Sequence, residues 1–212
     1  MKRLIIAMMC TLSWAFTWAD SPLTSTHFAE SYNEHPMVQQ ALKLSDASDT
    51  NIPVSTLNFL ADKNSPIDVR LAVINAIGWN FNGKTSGQQL SEYLMKRYKA
   101  KTAEKLVKKL DAGTLAVYAY AVAMSDYFNV TGAQELAHKA VKKNKGKSFS
   151  VAFISALIDA QVHLDGDWGQ VYRVVNNVLH DGSLQLDMRQ EAIDNVMEYI
   201  GEYKGYCFSL TP

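Results

Sequence analysis

Two stretches of this chain are apolar all the way round a helix, and they constrain the fold more than any other feature. Residues 115–124 read Leu-Ala-Val-Tyr-Ala-Tyr-Ala-Val-Ala-Met, and residues 151–158 read Val-Ala-Phe-Ile-Ser-Ala-Leu-Ile. A helix without a polar stripe needs neighbours on several sides. Both segments therefore belong at the centre of the fold, and their alanines let adjacent helices come close. Around them the chain is a series of helix starts. Pro36 and Pro53 suit first helical turns. Ser65 with Asp68, Ser86 with Gln89, Thr131 with Gln134 and Asp187 with Gln190 have the spacing of reciprocal caps, and Thr102, Thr114 and Asp167 that of single caps. Behind them apolar residues recur at three and four, as in Leu90, Tyr93, Leu94 and Tyr98 or Val171, Val174, Val175 and Val178. No stretch alternates with period two. The expected fold is all-α, with nine or ten helices.

Helix starts near 114, 148 and 187 are separated by one intervening helix each, the spacing of stacked hairpins. Asp68-Val69-Arg70-Leu-Ala-Val-Ile-Asn-Ala-Ile-Gly78 resembles the second helix of a HEAT-like repeat, and Asp187-Met188-Arg189-Gln-Glu-Ala192-Ile193 echoes it. The resemblance covers about two helices, without a regular hinge proline or a third good copy. It implies hairpins stacked as a short right-handed α-solenoid, HEAT- or tetratricopeptide-like; a compact multi-helix bundle is the alternative.

Residues 1–19 read as a signal peptide: Lys2 and Arg3, an apolar run from Leu4 to Phe16, then Thr17-Trp18-Ala19 before an expected cleavage at Asp20. The run is shorter than the roughly 20 residues a membrane-spanning helix needs. An exported product follows, periplasmic or extracellular, with a flexible segment over 20–34, one helical domain over 35–205 and an apolar tail over 206–212. Cleavage would leave Cys207 as the single thiol, either buried or forming a homodimer.

The chain has 21 basic and 21 acidic side chains, which removes the basic footprint of a nucleic-acid binder. The balance conceals a strong segregation. Residues 84–147 carry 13 basic and 5 acidic groups, whereas residues 148–212 carry 3 and 9. The basic excess lies in Lys96-Arg97-Lys99-Lys101 with Lys105, Lys108 and Lys109, and in Lys139 to Lys147. Such clusters suit an anionic partner or, at a helix C-terminus, a merely solvated face. Glu135-Leu-Ala-His138 has half of a di-metal ligand pattern and lacks its second copy. His163-Leu-Asp165-Gly-Asp167 reads as a turn and cap rather than a calcium loop, since Asn176 stands where the closing glutamate would be. No nucleophile elbow, zinc-protease helix or phosphate-cradling glycine loop is present. No cofactor or metal is expected. Trp79-Asn80-Phe81-Asn82-Gly83-Lys84 reads either as a binding tip or as a helix-end plug.

The leading expectation is an exported helical module that binds another protein, with Trp79, Phe81, Lys105 and Lys109 as contacts. A signal peptide ahead of a small, motif-poor helical domain resembles, in architecture, immunity proteins that occlude antibacterial effectors. The alternatives are an envelope carbohydrate-active enzyme using two carboxylates among Glu198, Glu202, Asp159 and Asp126, and a structural envelope component dimerising through Cys207.

Overall fold

The computed structural model describes residues 20–45, 51–79 and 85–208. Among the described residues ten helices follow one another: α1 (Pro36–Ser45), α2 (Val54–Leu60), α3 (Ile67–Ile77), α4 (Ser86–Arg97), α5 (Ala103–Lys109), α6 (Ala112–Ser125), α7 (Thr131–Asn144), α8 (Phe149–His163), α9 (Trp168–Leu179) and α10 (Gln190–Gly201). A 3-10 turn (Phe28–Tyr32) precedes them and a 3-10 helix (Glu202–Phe208) follows. The fold is all-α. Among the described residues the one strand-like pairing is the bridge between Ser148 and Gln185, which straps the α9–α10 connection to the start of α8.

The two wholly apolar segments are where their composition requires. Every residue from Gly113 to Ala121 is buried, as α6 packs against α3, α4, α7 and α8. Phe149 to Ile158 is likewise buried in α8, which packs against α7 and α9. The last five helices follow a mostly sequential packing, α6 on α7, α7 on α8 and α8 on α9, whereas α1 packs mainly on α3 and α4 mainly on α6. Within them α9 turns Val171 and Val175 inward, and α10 turns Ala192, Ile193 and Val196 inward.

Residues 20–34 contribute several side chains to the core. Leu23, Phe28, Ala29 and Tyr32 are buried, and Phe28 stacks on Tyr120 with ring centroids 6.0 Å apart. Asn75 of α3 receives the Ala29 N–H (2.9 Å) and donates to the Thr26 carbonyl (2.8 Å) and the Tyr120 hydroxyl (2.9 Å). Phe28 and Tyr32, four apart, supply one apolar stripe, too short to register as a periodic pattern. The segment also reaches the last helix: Arg189 stacks over the Tyr32 ring at 4.5 Å and bonds the Ser31 carbonyl and Glu34. The first and last elements are thus joined, a contact that belongs to a bundle and is missing from an open stack.

Helix ends follow the sequence unevenly. Thr102, Asp167 and Ser148 cap α5, α9 and α8 through their side-chain oxygens. Elsewhere the capping group is displaced. Thr85 rather than Ser86 caps α4, and Asp111 rather than Thr114 caps α6. Asp68 accepts from the Tyr32 hydroxyl (2.9 Å) instead of closing a capping box with Ser65. No side chain caps α7 or α10, despite Thr131 and Asp187. Asp187 serves a different helix, accepting the Ser150 N–H at 2.7 Å.

Burial pushes the Tyr32 and Tyr120 hydroxyls well above the ordinary tyrosine range. A folded-state pKa above the unfolded one means that the folded chain keeps a proton which the unfolded chain gives up. That stability is complete below about pH 10, the ordinary tyrosine value, and is lost as pH rises beyond it. Each such tyrosine is expected to steepen the loss by up to about 1.4 kcal/mol per pH unit. Denaturant melts from pH 8 to 11.5 should show this fall, and Y120F should flatten it; a Y120F curve parallel to wild type would exclude Tyr120 as its source.

Candidate functional site

The two lysine clusters, some forty residues apart in sequence, meet on one face. Lys143 near the end of α7 donates to the carbonyls of Lys108 (3.1 Å) and Leu110 (2.6 Å), so its ammonium occupies the C-terminal end of α5. Lys109 does the same for the preceding hairpin, donating to the Tyr98 carbonyl (2.7 Å) at the end of α4. Cations are favoured at those unsatisfied carbonyls. These two lysines therefore help hold α4, α5 and α7 together. Lys96, Arg97, Lys99, Lys101, Lys105, Lys142, Lys145 and Lys147 remain exposed around them. Acidic relief is local: Glu104 pairs with Lys108 at 2.7 Å and Glu135 with Lys139 at 3.6 Å, both i, i+4 on exposed surface.

Lys99 and Lys145 end α4 and α7 with φ of 47° and 54°, in the left-handed region. Glycine is the ordinary residue at that position because a Cβ there costs about 1–2 kcal/mol. Lysine thus occupies two positions, both on the basic face, where the backbone alone favours glycine.

Trp79 follows Gly78, whose φ of 72° turns the chain out of α3. Its ring is half-buried, meets Tyr127 edge-on at 5.9 Å and borders a cavity of about 380 Å³ that also touches His27, Glu30 and Asn75. Trp79 thus packs against the core just beyond the end of α3, beside that cavity. Phe81 and the rest of the loop to Lys84 lie outside the described residues. Of the four expected contacts, Lys105 and Lys109 share α5; Trp79 borders a separate cavity.

The carboxylates considered for catalysis are dispersed. Asp159 of α8 receives Gln134 and faces His138 Nε2, each at 2.8 Å, in a cleft between α7, α8 and α9. His138 is therefore engaged with Asp159 rather than forming a ligand pair with Glu135. Asp126 is the exposed C-cap of α6, and Glu198 is exposed on α10. Glu202 borders a different cavity from Asp159. Among the described residues no three metal-capable side chains converge.

Sequence reasoning missed a second cluster, built by the C-terminal 3-10 helix against the start of α9. Cys207, half-buried, donates its thiol to the Gly169 carbonyl at 3.4 Å, and Arg173 donates to the Cys207 carbonyl at 3.2 Å. These bonds bring Tyr206 against Trp168, with centroids 4.8 Å apart and planes at 83°. Tyr203 is 6.4 Å from Tyr206, and its hydroxyl bonds Tyr199 at 2.8 Å. Asp20, Leu164 and Glu202 complete a cavity of about 440 Å³. The available signal was the recurrence Tyr199, Tyr203, Tyr206 and the aromatic placed directly after the Asp167 cap.

No helix among the described residues is long and apolar enough to cross a membrane. Comparison with protein-family models, with curated proteins and with solved structures finds no match for this chain.

Proposed function

We propose that this protein is an exported helical binding module that engages an acidic protein through the basic face of α4, α5 and α7. The observation that carries the reading is the convergence of two lysine clusters that share one face only because α7 docks on the end of α5. A face with a concentrated positive charge steers an anionic partner during encounter and fixes its register on docking. Lysines in two left-handed positions support the same conclusion, since they retain charge where glycine would relax the backbone. Inhibition of an acidic-surfaced effector, by occlusion, is the role that fits a motif-poor module of this kind.

The test combines Lys105→Ala with Lys99→Gly and Lys145→Gly. The glycine changes remove charge while relieving strained backbone, so loss of binding cannot be attributed to unfolding. Crosslinked capture from an envelope extract, followed by kinetics with the purified captured protein, should show association slowed roughly tenfold at low salt and a shallower salt dependence. Identical rates and salt slopes for wild type and variant would sink the proposal.

A further inference from the structure

The cavity between the start of α9 and the C-terminal 3-10 helix has the opposite character from the basic face. Among the described residues it is bordered by Asp20, Leu164, Trp168, Glu202, Tyr203 and Tyr206: three aromatic rings, two carboxylates, one aliphatic side chain and no cationic side chain. The rings are held in place. Trp168 donates its indole N–H to the Leu164 carbonyl at 2.8 Å, which fixes the ring plane although 47% of the residue is exposed. Tyr206, 43% exposed, stands nearly perpendicular to it, and Tyr203 is pinned through Tyr199. Exposed aromatics that lie together as one patch, rather than singly, mark interaction sites. Perpendicular rings present two π faces to a shared corner, which is the arrangement that accommodates an ammonium group.

From this geometry we infer that the cavity is a binding site for an organic ammonium group, either a small quaternary amine or a lysine side chain presented by a partner. The rings contribute cation–π attraction to the N-methyl or methylene groups, and Asp20 and Glu202 supply the countercharge. The same negative field is visible in the neighbouring hydroxyls. Tyr203 is shifted upward by burial first, and then by Asp20 and Glu202. Arg173 of α9 and Lys204 of the 3-10 helix are engaged elsewhere, on the Cys207 carbonyl and over the Tyr172 ring at 6.0 Å. The site has room for more than the cation. Asp20 and Leu164 also border an adjoining cavity of about 290 Å³ with Phe128, Val162 and Asp165, along which the rest of a ligand can extend.

The experiment titrates the full chain with choline, with N-acetyl-lysine amide and with sodium chloride at matched ionic strength, following the backbone amide resonances of α9 and the C-terminal 3-10 helix, which survive substitution of Trp168. Saturable shifts with choline alone identify a quaternary amine as the ligand, and comparable shifts with the lysine amide identify a partner side chain; either supports the site. W168A is expected to weaken binding roughly three- to thirtyfold, and W168F to restore most of it. E202Q should weaken it with the rings intact. Equal shifts from sodium would reduce the site to plain carboxylate electrostatics. Shifts from a neutral saccharide without any from choline would make it a sugar site. Either result overturns the proposal, as does an unaltered affinity in W168A with retained helical circular dichroism.

Discussion

Replacing Arg70 with Ala is expected to cost about 3–5 kcal/mol of folding stability, the largest effect of any single change to a polar residue in this protein. Arg70 is only 1% exposed although it carries a full charge. Its Nη1 donates to the Thr114 hydroxyl (3.1 Å) and the Leu60 carbonyl (3.4 Å), joining the end of α2 to α6. Thr114 in turn donates to Asp111 (2.8 Å), whose other oxygen caps α6 by accepting the Thr114 N–H (2.9 Å). A relay therefore runs from carboxylate through hydroxyl to guanidinium. Burial draws the guanidinium's pKa downward, while Asp111 and Asp62 oppose that shift. Truncation to Ala leaves the Leu60 carbonyl without its donor and opens a space the length of an arginine stem. Arg70→Met fills that space without burying a charge, so it should lose clearly less than Arg70→Ala. Urea unfolding followed by circular dichroism checks both; equal losses would show that the relay, not the filled volume, is what Arg70 contributes.

Gly87→Ala should destabilise by about 2–3 kcal/mol, even though Ala is the better helix former by about 1 kcal/mol. A Cβ at Gly87 would come within 2.9 Å of the Val122 Cα, 2.9 Å of the Ser125 Oγ and 3.0 Å of the Ala121 carbonyl oxygen. Two of those atoms are backbone and cannot rotate aside, so α4 would have to lift off α6. It would also stretch the bond from the Gly87 N–H to Ser125 Oγ, now 2.9 Å. Gly132→Ala in α7 is the counterpart, because nothing lies within 4 Å of its Cβ position. Opposite signs at the two sites in thermal melts are expected. A neutral Gly87→Ala would mean that the α4–α6 contact is looser than these distances.

The large divisions of this fold were legible because they depend on local composition. Residues 115–124 and 151–158 could only be central helices, and caps such as Thr102 and Asp167 act on their own helix. What was not legible depends on groups far apart in sequence. Ser86 sits on the Ala121 carbonyl and Ser125, Asp68 faces Tyr32, and Asp187 bonds Ser150, so each abandons the local cap for a tertiary partner. The lysine-rich composition of the basic face could be read directly, whereas its continuity could not, since it requires Lys143 to reach α5. The aromatic cavity depends on Gly169 and Cys207, 38 residues apart, and no periodicity announces such a meeting.

The contact between Tyr32 and Arg189 spans 157 residues. A chain emerging from synthesis holds Phe28 and Tyr32 without their final lid until nearly everything else has been made. Closing so long a loop is slow, and loss of α10, which packs on the opening 3-10 turn, would uncover the beginning. Unlike an array lengthened or shortened one hairpin at a time, this molecule is a circuit, completed by its last helix or not at all.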